Sequence, residues 1–426
     1  MPVPKKKLKI LYVCPFAHYT GHFSWAAVHE PQALAGNGVD VKLLTFCGVT
    51  DKAGVSVPQT VVRQHLTLGV PLYHLANLLR RWKGIGFISM FIEAFLTLKV
   101  AGRIKKREGY NIIHLRDGEP YLFLPHLFGA FQKNGRWLVS LTGSIFVTRP
   151  PTGAEIRKKP RLLFYSAYIR IINSRFWKSF YVNSLSRNRF LFITQNPIIK
   201  RMAEQYMDGV LSGKVISLEL GADELGKVIS KTEARKYFGL PRDVPVFLSF
   251  GFVHAGKDME TIFRSLKDIP EAVLLHGGDE GIGGAESKLA NLAVKYEMKD
   301  RSVIRNSYIA EEDKPYYFFA SDAIILSYTK EFLSTTSLLW QACRFDTPVI
   351  ASDNGQLKEL VEKYRPGLVF NAQDADSLAE AVKKFLKLKP GEVKKMQENC
   401  RRFAGEFSLK NWAKKCVEIY EKILAE

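Results

Sequence analysis

Two rhythms of hydrophobic and polar positions alternate along most of this chain. Short apolar runs rich in β-branched residues, Lys9–Val13 and Val39–Phe46, flank a helix-like segment from about Ser24 to Ala35 that stops at Gly36-Asn37-Gly38. That pattern predicts a β-α-β opening with a glycine helix stop. Asn111–Leu115, Trp137–Leu141 and Leu191–Thr194 predict further strands, with an apolar helix over Leu122–Gln132 between the first two. A turn-rich stretch, Glu219–Arg235, interrupts the rhythm. It restarts with strands at Pro245–Phe250, Ala272–His276, Val303–Asn306, Ala323–Leu326, Pro348–Ala351 and Gly367–Val369, and helices at Asp376–Lys387 and Leu409–Leu424 close the chain. Repeated β-α units predict parallel sheets covered on both faces.

At 426 residues the chain exceeds what one hydrophobic core organises, since cores stop growing beyond roughly 250 to 300 residues. Two domains follow, residues 1–224 and 225–426. The five cysteines are scattered without CxxC spacing, which points to a reducing, cytoplasmic compartment and away from disulfide or zinc frameworks. The apolar Gly84–Ala101 stretch contains Glu93 and Lys99 and falls short of the roughly 20 apolar residues a span needs. No signal peptide is expected, because the charges at Lys5–Lys9 lead into a short strand.

Charge changes the picture. Residues 1–214 hold 31 Lys/Arg against 10 Asp/Glu, whereas 215–426 hold 31 against 32, so the net +20 lies in the first half. A basic half joined to a neutral half points to a polyanion. Between Arg157 and Phe190, aromatic residues such as Phe164, Tyr165 and Trp177 interleave with Arg161, Arg170, Arg175 and Lys178. Such a segment suits a helix lying among anionic headgroups; its plainer reading is a domain helix with aromatic core and solvated charges. A second basic group, Arg80, Arg81 and Lys83 with Arg103 to Arg107, brackets the apolar Ile85–Leu98 stretch. No nucleic-acid-binding motif is present, and nucleic acid is not the expected partner.

The chemistry concentrates between Ser321 and Leu360. There a strand runs into a polar loop and a hydroxyl-rich helix entry, Ser334, Thr335, Thr336 and Ser337, before the next strand. Free N–H groups in a helix's first turn favour phosphate. Tyr328, Thr329, Thr336, Ser337, Ala342, Pro348 to Ala351, Gly355 and Glu359 follow a "YT…SG…LLLA…GxPVIA…G…E" pattern, and the region resembles the donor half of the retaining GT-B glycosyltransferases, glycosyl transferases group 1. The resemblance implies two facing Rossmann-like domains, each with a parallel sheet, and a last helix crossing back to the first domain. It implies sugar transfer with retention from a nucleotide-diphosphate sugar to a glycan or lipid-linked acceptor, with no metal or resident cofactor, at the inner membrane face.

Carried over residue by residue, the resemblance makes Lys257 the partner of the donor diphosphate, with His254 where the family has arginine. Thr335, Thr336, Ser337 and Leu338 would form the anion-binding turn, and Gly251 and Gly277 the strand ends beside the nucleoside. Gly21 sits in the family's glycine-rich turn, or in a plain tight turn. Asp117, with Glu119 nearby, stands at a strand end where the acceptor or a base belongs, or merely caps a helix. Thr142 occupies the place of a family histidine beside the sugar. The paired family glutamates are replaced by Leu333 and Gln341, with Glu331 two residues from the first; Asp346 stands where the family has glycine. These departures also fit a catalytically inactive scaffold of the same architecture.

Overall fold

The computed structural model describes residues 8–19, 22–50, 55–66, 70–79, 86–117, 135–141, scattered positions in 153–182, 189–205, 209, 211–219, 221, 227–280, 287–333 and 336–425. The chain divides into two compact units, residues 1–219 with 409–426, and residues 220–408. The unit edge thus falls at 219/220, beside the expected 224/225.

In the first unit, strands β1 (Lys9–Cys14), β2 (Asp40–Thr45), β3 (Gln59–Val61), β4 (Ile112–Arg116), β5 (Arg136–Leu141), β6 (Arg189–Thr194) and β7 (Val215–Ser217) form one sheet in the order β3-β2-β1-β4-β5-β6-β7. Every pairing is parallel. Helices α1 (His22–Gly36), α2 (Val70–Leu79), α3 (Gly86–Glu108), α4 (Gly153–Lys158) and α5 (Pro197–Gln205) come from the connections. The central strands are buried on both faces, as their unbroken apolar runs demand. The edge strands β3 and β7 are only three residues each, too short to leave a readable period. The expected helix over Leu122–Gln132 and much of the 157–190 segment lie outside the described residues.

In the second unit, β8 (Val246–Phe250), β9 (Val273–Gly277), β10 (Ser302–Arg305), β11 (Ala323–Leu326), β12 (Val349–Ser352) and β13 (Gly367–Phe370) run in the order β10-β9-β8-β11-β12-β13, all parallel. This is the doubly wound order in which the chain reverses direction across the sheet between β8 and β11, the place where such folds bind ligands. Helices α6 (Lys231–Phe238), α7 (Met259–Leu266), α8 (Lys288–Lys295), α9 (Lys314–Ala320), α10 (Leu338–Arg344), α11 (Gly355–Tyr364), α12 (Ala375–Leu386) and α13 (Pro390–Glu406) complete it.

Two expectations are corrected here. The stretch read as turns up to Arg235 contains the start of α6, because the Ser230 side chain accepts from Glu233 N at 3.1 Å and Gly239, at φ +67, ends the helix. Helix α13 was not expected; its polar composition shows little apolar face, yet Cys400 and Phe403 are fully buried in the unit's core.

The last helix, α14 (Leu409–Ala425), belongs to the first unit. Its buried Trp412, Cys416, Tyr420 and Ile423 join Ile10, Tyr12, Leu138 and Leu191 in one core. Burying side chains of this size contributes on the order of 1.5–3 kcal/mol each. Tyr420 OH also lies 2.6 Å from His114 Nδ1, whose other ring nitrogen lies 2.8 Å from Ser140 Oγ. Among the described residues no helix is long and apolar enough to cross a membrane.

Candidate functional site

At the switch point of the second unit, β8 ends in Gly251 at φ +87, a left-handed conformation that glycine adopts without strain. The chain turns back through His254 to Lys257, which pairs as a single antiparallel bridge with Tyr328 just beyond β11. Lys257 is therefore not a solvated surface lysine. It is 6% exposed, and its ammonium donates to the Phe250 carbonyl and, at 3.4 Å, to the Gly251 carbonyl. Burial lowers its pKa to about 7, and no carboxylate lies beside it among the described residues.

Glycine is required around this cation. A Cβ on Gly278 would collide with the Gly251 carbonyl, and one on Gly277 with the Tyr317 ring. The two strand ends touch instead, with Gly251 N donating to Gly277 O at 2.8 Å. A Cβ on Gly251 would meet the Leu338 side chain at 3.6 Å, so the first residue of α10 lies against this strand end. Gly251, Gly277, Lys257 and Leu338 are thus brought together.

The helix entry differs from expectation. Helix α10 spans seven residues and starts at Leu338, three residues after the expected start. The Thr336 hydroxyl lies 2.6 Å from Tyr328 OH and accepts from Leu338 N at 3.3 Å, which ties it to the start of the helix. Ser337 is exposed. Asn354 anchors the same loop, donating to Thr329 O at 3.1 Å and Phe332 O at 2.9 Å. His254, its pKa lowered by burial and then by Lys257, accepts from Gly256 N at 3.1 Å. Its ring lies 5.6 Å from Phe332, which stacks on Tyr328 at 4.3 Å. Glu331 is exposed on the turn and makes no polar contact among the described residues. Thr335 lies outside them.

Asp346 has φ +55 and bonds Arg401 Nε at 2.7 Å. Its place in the chain needs a left-handed residue, which accounts for the family's glycine there and for the tolerance of aspartate. Glu359 is exposed in the second turn of α11 rather than at its start.

The corresponding strand ends of the first unit carry charge in pairs. Arg116 Nη1 bonds Asp117 Oδ1 at 2.6 Å, and Arg116 Nε lies 3.2 Å from Glu30 Oε1 on α1. Tyr12 OH donates to the same Glu30 carboxylate. All are buried, and Asp117 has φ +55. Burial acts against the Arg116 charge, but Asp117 and then Glu30 hold its pKa above the usual value; burial raises that of Glu30. Asp117 is therefore the partner of a buried guanidinium, not an open carboxylate. A cavity of about 10 Å³ beside Arg116, Ser140 and Trp412 has room for about one water.

A second pair joins His18, in the loop after β1, to Glu93 on α3, with Nε2 and Oε2 3.4 Å apart. Ser89 donates to the other Glu93 oxygen at 2.6 Å. Burial opposes the His18 charge, yet Cys47 and Glu93 hold its pKa above the usual value. Glu30, Arg116, His18 and Glu93 escaped the sequence reading. The available signal was a charge inside an otherwise apolar run, as Glu93 is. Gly21, Glu119 and Thr142 lie outside the described residues.

A cavity of about 480 Å³ in the second unit opens at the amino ends of the strands, away from Lys257. Its Arg235 is spent on structure, bonding Ala320 O at 3.0 Å, Pro241 O at 3.2 Å and Asp322 at 2.9 Å. Size alone does not mark the candidate site.

Known proteins resemble this chain in its second unit and in its fold. The family profile for Glycosyl transferases group 1 matches residues 230–404. A D-inositol 3-phosphate glycosyltransferase of Corynebacterium urealyticum is 27% identical over 198 residues, covering 45% of this chain and 46% of the relative. The chain thus aligns with about half the length of that curated relative. In solved structures, sucrose-phosphate synthase from Thermosynechococcus elongatus superposes with TM-score 0.68 at 19% identity, covering 98% of this chain and all of its own. The catalytic domain of starch synthase IV from Arabidopsis thaliana, bound to ADP and acarbose, gives 0.70 at 13% identity, covering 99% and 100%. The second unit thus carries a glycosyl transferases group 1 domain over residues 230–404, and the chain, with two parallel Rossmann-like sheets, has the GT-B fold.

Proposed function

We propose that the protein is a glycosyltransferase that moves a sugar, with retention, from a nucleotide-diphosphate donor held by the second unit to a glycan or lipid-linked acceptor held by the basic first unit. One observation carries the reading: Lys257 is a buried lysine at the switch point, beside glycine backbone and with no carboxylate partner among the described residues. A diphosphate there would restore full protonation of the amine. Its charge would then be worth most as the donor bond breaks and negative charge builds on the leaving oxygen. Gly251 and Gly277 let the nucleotide approach the backbone closely, and Thr336, Ser337 and Leu338 present hydroxyls and the start of α10 to the phosphates. His254, with Tyr328 and Phe332, walls the same turn. Phosphate charge is met by Lys257 as a point cation, where an arginine would bind bidentately. The reading requires neither metal nor resident cofactor, and places the protein in the cytoplasm at an anionic membrane face, with the 157–190 segment as one contact.

The second reading, an inactive scaffold, draws on the engaged state of the same groups. Lys257 already bonds two carbonyls, the Thr336 hydroxyl is taken by Tyr328, and Leu333 and Gln341 replace the family carboxylates. A panel of nucleotide sugars, assayed for binding and for transfer or hydrolysis, decides between them. Turnover abolished by Lys257→Ala supports the transferase; binding without any turnover across the panel supports the scaffold.

A further inference from the structure

Four large apolar side chains stand exposed on two neighbouring helices of the first unit. On α2, Leu72, Leu75 and Leu78 are 42%, 41% and 52% exposed, and on the first turn of α3 Ile88 is 38% exposed. The two helices form a packed pair, with Tyr73 and Ala76 buried and Ser89 Oγ donating to Ala76 O at 2.8 Å. The leucines are thus the outer face of a folded element.

The outward stripe of α3 then changes character along its length. Ile88, Ile92, Phe95, Lys99, Arg103 and Lys106 recur at three- and four-residue steps, which places them on one side of the helix. The Lys99 ammonium, 5.9 Å from the centre of the Phe95 ring, marks the join. Lys99, Arg103 and Lys106 are exposed. No acid interrupts the stripe: of the two in α3, Glu93 is fully buried and Glu108 pairs with Lys42 at 2.8 Å and Arg107 at 3.1 Å. With a rise of about 1.5 Å per residue, apolar and basic halves each extend over roughly 10 to 15 Å.

We infer that the α2–α3 face is a docking surface for a bilayer containing anionic lipid. Leu72, Leu75, Leu78 and Ile88 enter the acyl boundary, and Lys99, Arg103 and Lys106 lie against headgroup phosphates. Nucleic acid would match the cations but give the leucines nothing, whereas an anionic bilayer matches both. The inference rests on the membrane part of the reading above and is independent of sugar transfer. A chain that binds vesicles but turns over no donor leaves it standing.

The test uses the full chain and co-sedimentation with phosphatidylcholine vesicles, with and without phosphatidylglycerol. Binding that requires the anionic lipid is expected. Leu72→Ser/Leu75→Ser/Leu78→Ser should weaken it at least tenfold, and Lys99→Gln/Arg103→Gln/Lys106→Gln by about fivefold for each charge removed, the second loss shrinking in high salt. Nucleotide-sugar binding by both variants should stay at the unmodified level. The inference is overturned if the unmodified chain ignores vesicles, or if both variants bind like it, which would assign the contact to another segment. It also fails if the leucine face proves to join two copies of the chain or to bind duplex DNA in place of vesicles. Hydrogen exchange on the unmodified chain avoids any folding defect: vesicles should slow exchange over residues 70–79 and 86–106, and unchanged exchange there rejects the surface.

Discussion

Two sheets of the same winding treat charge at their switch points in opposite ways. In the first unit, beyond β1 and β4, the buried charges among the described residues have partners: Arg116 lies between Glu30 and Asp117, and His18 faces Glu93. In the second, beyond β8 and β11, the buried Lys257 ammonium has only carbonyl oxygens as polar partners among the described residues, with Gly251 beside it. A neutralised cluster fixes its own geometry and leaves little field for a ligand. A lone buried amine is costly until an anion arrives. Topology therefore sets where a site can form, and charge pairing distinguishes a rigid wall from a binding centre.

The sharpest way to break this contrast is Arg116→Met, which strands Glu30 and Asp117 as buried carboxylates. Chemical denaturation should show a loss of about 3–5 kcal/mol; an unchanged midpoint would mean that the cluster is not a wall. Lys257→Ala should act in the opposite sense, cutting transfer by about 10²–10³ while the melting temperature holds or rises, because a buried amine without a counter-charge is removed. Steady-state kinetics beside calorimetry separates the two effects.

Protonation sharpens the same contrast. The ligand-free amine has its pKa lowered to about 7, and a bound diphosphate raises it, so the complex holds more protons than the free protein. Donor affinity should then be full below about pH 7 and fall by up to tenfold per unit above it, measured by calorimetric titration in buffers of different ionisation heat. Lys257→Ala should flatten that dependence. The smallest effect expected is none: with a protein cation serving the diphosphate, a chelator should leave the transfer rate unchanged, and a rate restored only by divalent metal would overturn the metal-free reading.

The second unit was legible in the sequence because its strands, buried on both faces, read as unbroken apolar runs between turn residues. Each expected strand from Pro245 to Val369 exists with its ends shifted slightly. Helix α13 was hidden by its polar surface, and β3 and β7 by their shortness. At the site, Gly251, Gly277, Lys257 and Leu338 came from the family resemblance, and strand order adds only that they lie where parallel strands end. The α10 start was misplaced by three residues because a hydroxyl run reads equally as helix cap or as loop anchor, and Thr336 serves as the anchor. The paired charges of the first unit were illegible for another reason: Glu30 and Arg116 are far apart in the chain and ordinary in their neighbourhoods. Only the folded sheet brings them together.

Because Trp412 and Tyr420 wall the core around His114, the first unit is sealed by a segment that follows the whole of the second unit in the chain. The second unit, contiguous from 220 to 408, has its whole sequence available earlier. Birth order and completion order are thus reversed: of the two units, the one that emerges first must wait, with an open flank, for α14 to arrive.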